Sequence, residues 1–372
     1  MDFIDLSAQQ KLIRKKIETR INNVLNHGKY ILGPEVFELE NLLKSYVGVK
    51  HCITCSSGTD ALLIPLLAKG IGPGDAVLTT PFTFIATSEA IALLGATPVF
   101  CDIYKETFNL DPNGLEKSYN DAILKGLTPK AIIPVDLFGL PSRYRLISKF
   151  AKEKKLFLLE DAAQGFGSSI NQQRAGSFGD VASTSFFPAK PLGCYGDGGA
   201  IFTNDDELAD KMRSIRVHGS GDDKYDNIHI GINGRIDTIQ AAILIEKLKI
   251  FDSELNKRNK VANYYTKYLS SEFKKPFIPQ NYLSSWAQYS IVLNNKKERS
   301  EIILDLNQNG IPCAIYYKIP LHLQKVFNYL EYRNGDFPVS EHISNNIISL
   351  PLHPYLKRKK QEFIINKLNS LY

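Results

Sequence analysis

The sequence is poor in cysteine, has no long apolar run and gathers no large block of like charge, and each shortage excludes a class of protein. Five cysteines in 372 residues are few and odd in number, which argues against a disulfide-built scaffold. Cys52 and Cys55 form the single C-x-x-C spacing, within Lys50-His51-Cys52-Ile53-Thr54-Cys55, a segment patterned as a strand. Strand positions three apart face opposite sides, so these are expected to be two core thiols and not a dithiol or chelate. With the seven histidines scattered, no metal site is expected. No stretch approaches the roughly 18 apolar residues of a membrane span, and Met1-Asp2-Phe3-Ile4-Asp5 carries acids where a signal peptide needs bases, so the expectation is a cytoplasmic protein without a membrane partner. The formal charge is only +6, and the densest basic cluster, Lys357-Arg358-Lys359-Lys360, reads as a solvated helix start. No nucleic-acid partner is expected; a mild positive excess favours acidic small molecules, such as phosphorylated or nucleotide-linked substrates.

What is present is an ordinary globular composition, 44% hydrophobic and 23% charged, long enough for about two domains at roughly 150 residues each. Leu12, Ile13, Ile17, Ile21 and Leu25 recur at helical spacing and end at His27-Gly28, predicting a leading helix. From residue 50, short apolar runs (51–54, 76–79, 97–101, 131–135 and 156–159) alternate with longer amphipathic stretches. That alternation predicts an α/β fold with a mostly parallel central sheet covered by helices on both faces. Ile236, Ile239, Ala242, Ile243, Leu248 and Phe251 predict a helix leading away from the sheet. The expected division is residues 1–245, a helix and large sheet domain, and 246–372, a smaller α+β domain.

Ligands of such sheets bind beyond the carboxyl ends of the strands, so those loops are the places to look for chemistry. After the first strand, Ser57 and Asp60 form an S-x-x-D capping box ahead of an apolar helix, with Gly58 at its start. A helix amino terminus with a glycine offers N–H donors to an anion, phosphate first; Pro65 predicts a distortion further along. The apolar run Leu156-Phe157-Leu158-Leu159 delivers Glu160 and Asp161 to a strand end, where a buried carboxylate needs a cation or protonated heterocycle. Twenty-nine residues on, a strand of small and aromatic residues ends in Lys190, flanked by Pro188 and Pro191, before the Gly-rich turn Gly196-Asp197-Gly198-Gly199 starts a return strand. An ammonium in a semi-enclosed place loses solvation and becomes nucleophilic toward a carbonyl, so Schiff-base chemistry is expected.

The segments SGTDAL, TPFTFIATSEAI, GATPVFCDI, IIPVDLFG, LLEDAAQGFGSS, TSFFPAKPLGCYGDGGAI and GINGRIDTIQAAI occur in order. Together they resemble the DegT/DnrJ/StrS family of pyridoxal-phosphate-dependent sugar aminotransferases, from about Phe3 to Tyr355. The resemblance implies fold type I of the pyridoxal 5'-phosphate (PLP) enzymes, a homodimer with active sites shared across the interface, and a nucleotide-linked ketosugar as substrate. It implies that Lys190 forms the Schiff base and shuttles the proton, and that Asp161 pairs with the pyridinium nitrogen. Gln164 would lie beside the ring oxygen and Phe84 would stack on the ring. Gly58, Thr59 and Ser185 would hold the phosphate, with Asn233 reaching it from the neighbouring subunit. Arg235, Tyr30, Tyr317 and His322 fall in segments that resemble substrate-side loops. L-glutamate is the implied amino donor, and a lysine at position 190, where the family's dehydratases have histidine, favours amination.

Within the family the chain is most similar to the subgroup that aminates C3 of UDP-2-acetamido-2-deoxy-3-oxo-glucuronic acid, in surface-polysaccharide (O-antigen type) sugar biosynthesis. It departs from the subgroup where Tyr316 precedes Tyr317, and Asp136 stands where many members have His or Ser. The alternatives are a C4 aminotransferase of a UDP-4-keto-6-deoxy-N-acetylhexosamine and, from a different class, a non-enzymatic regulator on the same fold.

Overall fold

The computed structural model describes residues 1–223, 225–294 and 298–371. Helix α1 (Leu6–His27) is capped by the Asp5 carboxylate at its start and closed by Gly28 in the left-handed conformation. It buries Ile13, Ile17 and Val24, whereas Leu12 and Leu25, expected on the same buried stripe, face outward. Helix α2 (Pro34–Val47) follows, and then the sheet region with β1 (His51–Cys55), α3 (Gly58–Ala68), β2 (Asp75–Thr79), α4 (Ala86–Leu93), β3 (Thr97–Phe100), α5 (Leu115–Leu124), β4 (Thr128–Ile132), α6 (Tyr144–Lys154) and β5 (Phe157–Asp161). The two-residue strands β6 (Ser169–Ile170) and β7 (Gln173–Arg174) precede the hairpin β8 (Val181–Ser185) and β9 (Gly199–Thr203). The remainder contains α7 (Asp206–Ile215), α8 (Thr238–Tyr268), β10 (Tyr282–Leu283), β11 (Tyr289–Val292), α9 (Arg299–Gln308), α10 (Pro338–Asn346), β12 (Ile347–Leu350) and α11 (Arg358–Asn369).

Seven strands form one sheet in the order β1-β9-β8-β5-β4-β2-β3. The pairs from β8 to β3 are parallel, and β9 runs antiparallel to both of its neighbours. Alternation along each strand divides the residues between two apolar layers. Phe157 and Leu159 of β5 pack with α3, α4 and α7 residues such as Leu62, Ala90 and Met212. Leu158 faces the other way, into the layer with Tyr144 and Ile147 of α6. Cys52 and Cys55 likewise fall in different layers, both as free buried thiols. The fourth strand begins three residues before the expected run; beyond it, Ile133 still bonds Leu78 and Val135 bridges to Asp161.

Helix α8 runs unbroken across residue 245, the expected division, and past it. Its first half, through Leu255, packs in the sheet's apolar layer, and from Val261 it joins a separate cluster with β11, β12, α9 and α11. A further cluster packs the carboxyl-terminal part directly on the strand ends, through Phe82, Val135, Phe138, Val292 and Ile343 with Tyr317 at its margin. Among the described residues, no helix is long and apolar enough to cross a membrane.

Candidate active site

Asp161, the last residue of β5, lies on the α3/α4 side of the sheet and is only 3% exposed. Its Oδ2 accepts the Thr87 hydroxyl at 2.9 Å, and its Oδ1 accepts the Ala163 N–H at 3.1 Å. Burial raises the carboxyl above its ordinary range; Thr87, Ala163 and the nearby Lys190 charge act in the opposite direction. Lys190 sits on the excursion between β8 and β9, its N–H bonded to the Phe187 carbonyl at 2.8 Å. The excursion is pinned at its ends by Phe186 N–H to Gly198 O and Cys194 N–H to Phe186 O. The lysine is half-buried, and desolvation lowers its pKa against the attraction of Asp161. Strand pairing of Asp161 with Ser183 places the two chain segments side by side, so a weakened ammonium and a buried carboxylate meet at one strand end.

Gln164 is fixed at both ends of its amide: Oε1 accepts the Phe138 N–H at 2.7 Å and Nε2 donates to the Tyr317 hydroxyl at 3.0 Å. The Tyr317 ring lies 6.1 Å from Phe82 and 6.4 Å from Phe84 between centroids. Burial raises the Tyr317 pKa, keeping the phenol neutral. Phe84 itself is 55% exposed, a large apolar face left open beside the site.

The other half of the site is the start of α3. Ser57 caps the helix by accepting the Asp60 N–H at 3.1 Å, and the Ala61 N–H bonds the Ser57 carbonyl, which leaves Gly58 and Thr59 as first-turn donors. Only half of the capping box closes, because the Asp60 carboxylate turns to the Ser56 hydroxyl. The helix continues through Pro65 to Ala68. A Cβ at position 58 would stand 2.5 Å from Cβ and 2.8 Å from Oγ of Ser185, so glycine is what allows the helix start and the end of β8 to touch. Gly58, Thr59 and Ser185 thus meet in one cradle.

The segment bearing Asn233 and Arg235 adjoins that cradle, since the Ser56 N–H bonds the Gly234 carbonyl at 3.0 Å. Asn233 is exposed; Arg235 is half-buried, with its Nε buried and lacking a hydrogen-bond partner among the described residues. Tyr30, half exposed, is tied to the same place, for its carbonyl accepts the Thr238 N–H and Ile31 bridges to Asp237. His322 is not gathered with these residues. It is 1% exposed, its Nε2 lies 3.0 Å from Glu341, and its ring packs 4.7 Å from Phe337. The chain arrives there because Leu321, its neighbour, enters an apolar cluster with Phe100 and Phe327. Thr87, which holds Asp161, was not singled out from sequence; its signal is its place on the first turn of α4, four residues after Thr83, with which it shares a 3.3 Å hydroxyl contact.

A weakened lysine, a buried carboxylate at a parallel-strand end and a helix-start cradle together suit carbonyl chemistry on a phosphate-bearing ligand. The family model described as the DegT/DnrJ/EryC1/StrS aminotransferase family matches residues 11–369. The chain is 47% identical to the UDP-2-acetamido-2-deoxy-3-oxo-D-glucuronate aminotransferase of Pseudomonas aeruginosa over an alignment that covers the whole of both proteins. Its fold superposes on a crystal structure of a DegT DnrJ EryC1 StrS aminotransferase from Brucella abortus with a TM-score of 0.97, at 49% identity and with 100% and 99% of the two chains covered. On NtdA from Bacillus subtilis, solved with bound cofactor PMP, the TM-score is 0.88 at 30% identity, with 96% of this chain and 81% of that one covered. The chain belongs to the DegT/DnrJ/EryC1/StrS aminotransferase family.

Proposed function

We propose that this chain binds pyridoxal 5'-phosphate and transfers the amino group of L-glutamate to C3 of UDP-2-acetamido-2-deoxy-3-oxo-glucuronic acid, in the cytoplasm. The observation that carries the cofactor assignment is the pairing of buried Asp161 with weakened Lys190 beside a glycine-only cradle at a helix start. The residues present fit the group: Gly58, Thr59 and Ser185 suit its phosphate, Asp161 its ring nitrogen, Gln164 its ring oxygen and Phe84 its face. When bound, the cofactor supplies an electron sink for the pair left by the broken C–H bond.

The rest is the work of the chain. Asp161, held on both oxygens, would pair with the ring nitrogen and favour its protonated form. Lys190, partly neutral because it is desolvated, takes a proton from the donor carbon and returns it to the sugar carbon. Gln164, braced by Phe138 and Tyr317, holds its amide in one orientation. Tyr317 closes the site with a neutral hydroxyl and an aromatic wall. Arg235, half-buried beside the cradle, offers its guanidinium to a carboxylate, either that of the uronate or that of glutamate. The buried His322, bonded to Glu341, supports its loop and does not touch substrate.

The assignment of C3 and the uronate rests on similarity to the Pseudomonas aeruginosa enzyme. A homodimer with shared sites is supported by exposed Asn233 and by the apolar groups Phe84, Phe187 and Ile230 left uncovered. The test offers the UDP-linked 3-oxo-uronate and UDP-4-keto-6-deoxy-N-acetylhexosamine in parallel with glutamate, and identifies the aminosugar by mass spectrometry. Turnover of the 3-oxo-uronate is expected. Turnover of the 4-keto sugar alone would make the chain a C4 aminotransferase, and no turnover of any ketosugar by cofactor-loaded protein would favour a regulator.

A further inference from the structure

Two carboxyls unused by that chemistry lie directly behind Asp161. Glu160 precedes it on β5 and therefore faces the opposite side of the sheet, and Asp136 follows the bridge between Val135 and Asp161. Both are 0% exposed, and no salt bridge among the described residues reaches either. The Glu160 carboxylate is well supplied with donors, the Gly176 N–H at 2.6 Å on Oε1 and the Phe178 N–H at 2.7 Å on Oε2. Asp136 has donors only on Oδ1, the Ser142 N–H at 2.9 Å and the Tyr144 hydroxyl at 2.8 Å. Its Oδ2 is buried with no hydrogen-bond partner among the described residues, and the Glu160 carboxyl, on the same side of the sheet, is the strongest charge acting on it. Two carboxyls buried side by side with no cation between them cannot both ionise, so one of them keeps its proton. The titratable groups facing Asp136 are Tyr144 on α6, Glu160 and Asp161 on β5 and Tyr282 on β10.

Asp136 is also wedged between the two residues assigned to the cofactor ring. Its N–H donates to the Asp161 carbonyl at 3.0 Å, and the Asp161 N–H donates to Pro134 O. It opens the turn whose Phe138 N–H holds Gln164. A Cβ on Gly165 would lie 2.5 Å from Cβ of Asp136, so the side chain is packed against the Gln164-Gly165 backbone.

We propose that Asp136 is un-ionised, donating its proton from Oδ2 to Glu160, and that this shared proton makes Asp136 the positioning residue that fixes Asp161 and Gln164 toward the cofactor. Glu160 has a backbone donor on each oxygen whereas Asp136 has none on Oδ2, which leaves the proton on Asp136. The positioning role rests on the cofactor assignment above; the proton itself does not.

The test compares wild type, Asp136→Asn and Asp136→Ala. Asparagine reproduces the neutral acid, with an amide N–H for Glu160 and a carbonyl for Ser142 and Tyr144. Infrared spectra of the wild type at neutral pH are expected to contain a carboxyl carbonyl stretch that shifts in D2O and is missing from Asp136→Asn. Asp136→Asn should bind PLP as the wild type does and keep the pH midpoint of its absorbance titration. Asp136→Ala should bind it about tenfold more weakly, the order of one cofactor hydrogen bond lost as Asp161 or Gln164 shifts. Absence of the carboxyl band, or a displaced midpoint in Asp136→Asn, would show a charged Asp136 and overturn the shared proton. Wild-type PLP affinity in Asp136→Ala would overturn the positioning role. Wild-type protein that bound no PLP would refute the cofactor assignment instead, while the infrared band would still decide the proton; if the alanine variant failed to fold, Tyr144→Phe, which removes one of the two donors that hold Asp136 Oδ1, should weaken PLP binding in its place, and wild-type affinity there would overturn the positioning role.

Discussion

Gly58→Ala is the most informative single change in the cradle. The new methyl would stand 2.5 Å from Cβ of Ser185, where ordinary contacts begin at 3.4 Å, so the start of α3 and the end of β8 must separate by about 1 Å. Overpacking of this kind costs about 1–3 kcal/mol of stability. The same movement takes the Gly58 and Thr59 N–H groups and the Ser185 hydroxyl out of common reach of one phosphate. Loss of one hydrogen bond to a charged group costs about 2 kcal/mol, which is about thirtyfold in dissociation constant. The assay is titration of cofactor-free protein with PLP, followed by absorbance, with thermal unfolding of the cofactor-free variant as the control for folding. The double variant Gly58→Ala/Ser185→Gly removes the group struck by the methyl and should bind PLP more tightly than Gly58→Ala alone, although Ser185→Gly by itself weakens binding. If Gly58→Ala bound PLP like the wild type, or if the double variant were no better than the single one, the cradle would not be the phosphate site.

Lys190→Ala should bind PLP without the absorbance band of the lysine-bound form and lose about 10⁴-fold or more in turnover of glutamate and ketosugar, measured in steady state. Thr87→Val removes the hydroxyl from Asp161 Oδ2; steady-state kinetics should show kcat/KM falling by about tenfold or more, as for a hydrogen bond to a charged group. His353 is buried, and desolvation lowers its pKa to about 4. The unfolded chain takes up that proton below about 6.5 while the folded chain does not, so stability is lost as pH falls from there to about 4, by about 3 kcal/mol for this group. Urea unfolding of His353→Gln across that range should show a flatter profile than the wild type, and an unchanged profile would refute a neutral buried His353.

The sheet, the strand-end loops and the Asp161, Lys190 and Gly58 positions were legible because each is a local pattern: an apolar run ended by acids, a lysine between prolines, a serine and glycine opening a helix. What escaped was contact between distant segments. Thr87 and Asp161 are 74 residues apart, and nothing near Thr87 announces the bond. Asp136 and Glu160 are drawn together by the parallel register of neighbouring strands, so the pairing emerges only once β4 and β5 lie side by side. His322 lies buried apart from the other candidates because its loop is drawn in by apolar neighbours, Leu321 and Phe327, whose cluster forms only in the fold. Leu12 and Leu25 show the limit of helical periodicity, which marks a stripe without saying how wide a face its partner covers.

Reduction of PLP-loaded protein with borohydride, followed by peptide mass spectrometry, tests the central assignment most directly. One phosphopyridoxyl group on Lys190 is the predicted result, lost when the protein is first treated with glutamate. Modification of a different lysine, or of none, would contradict it.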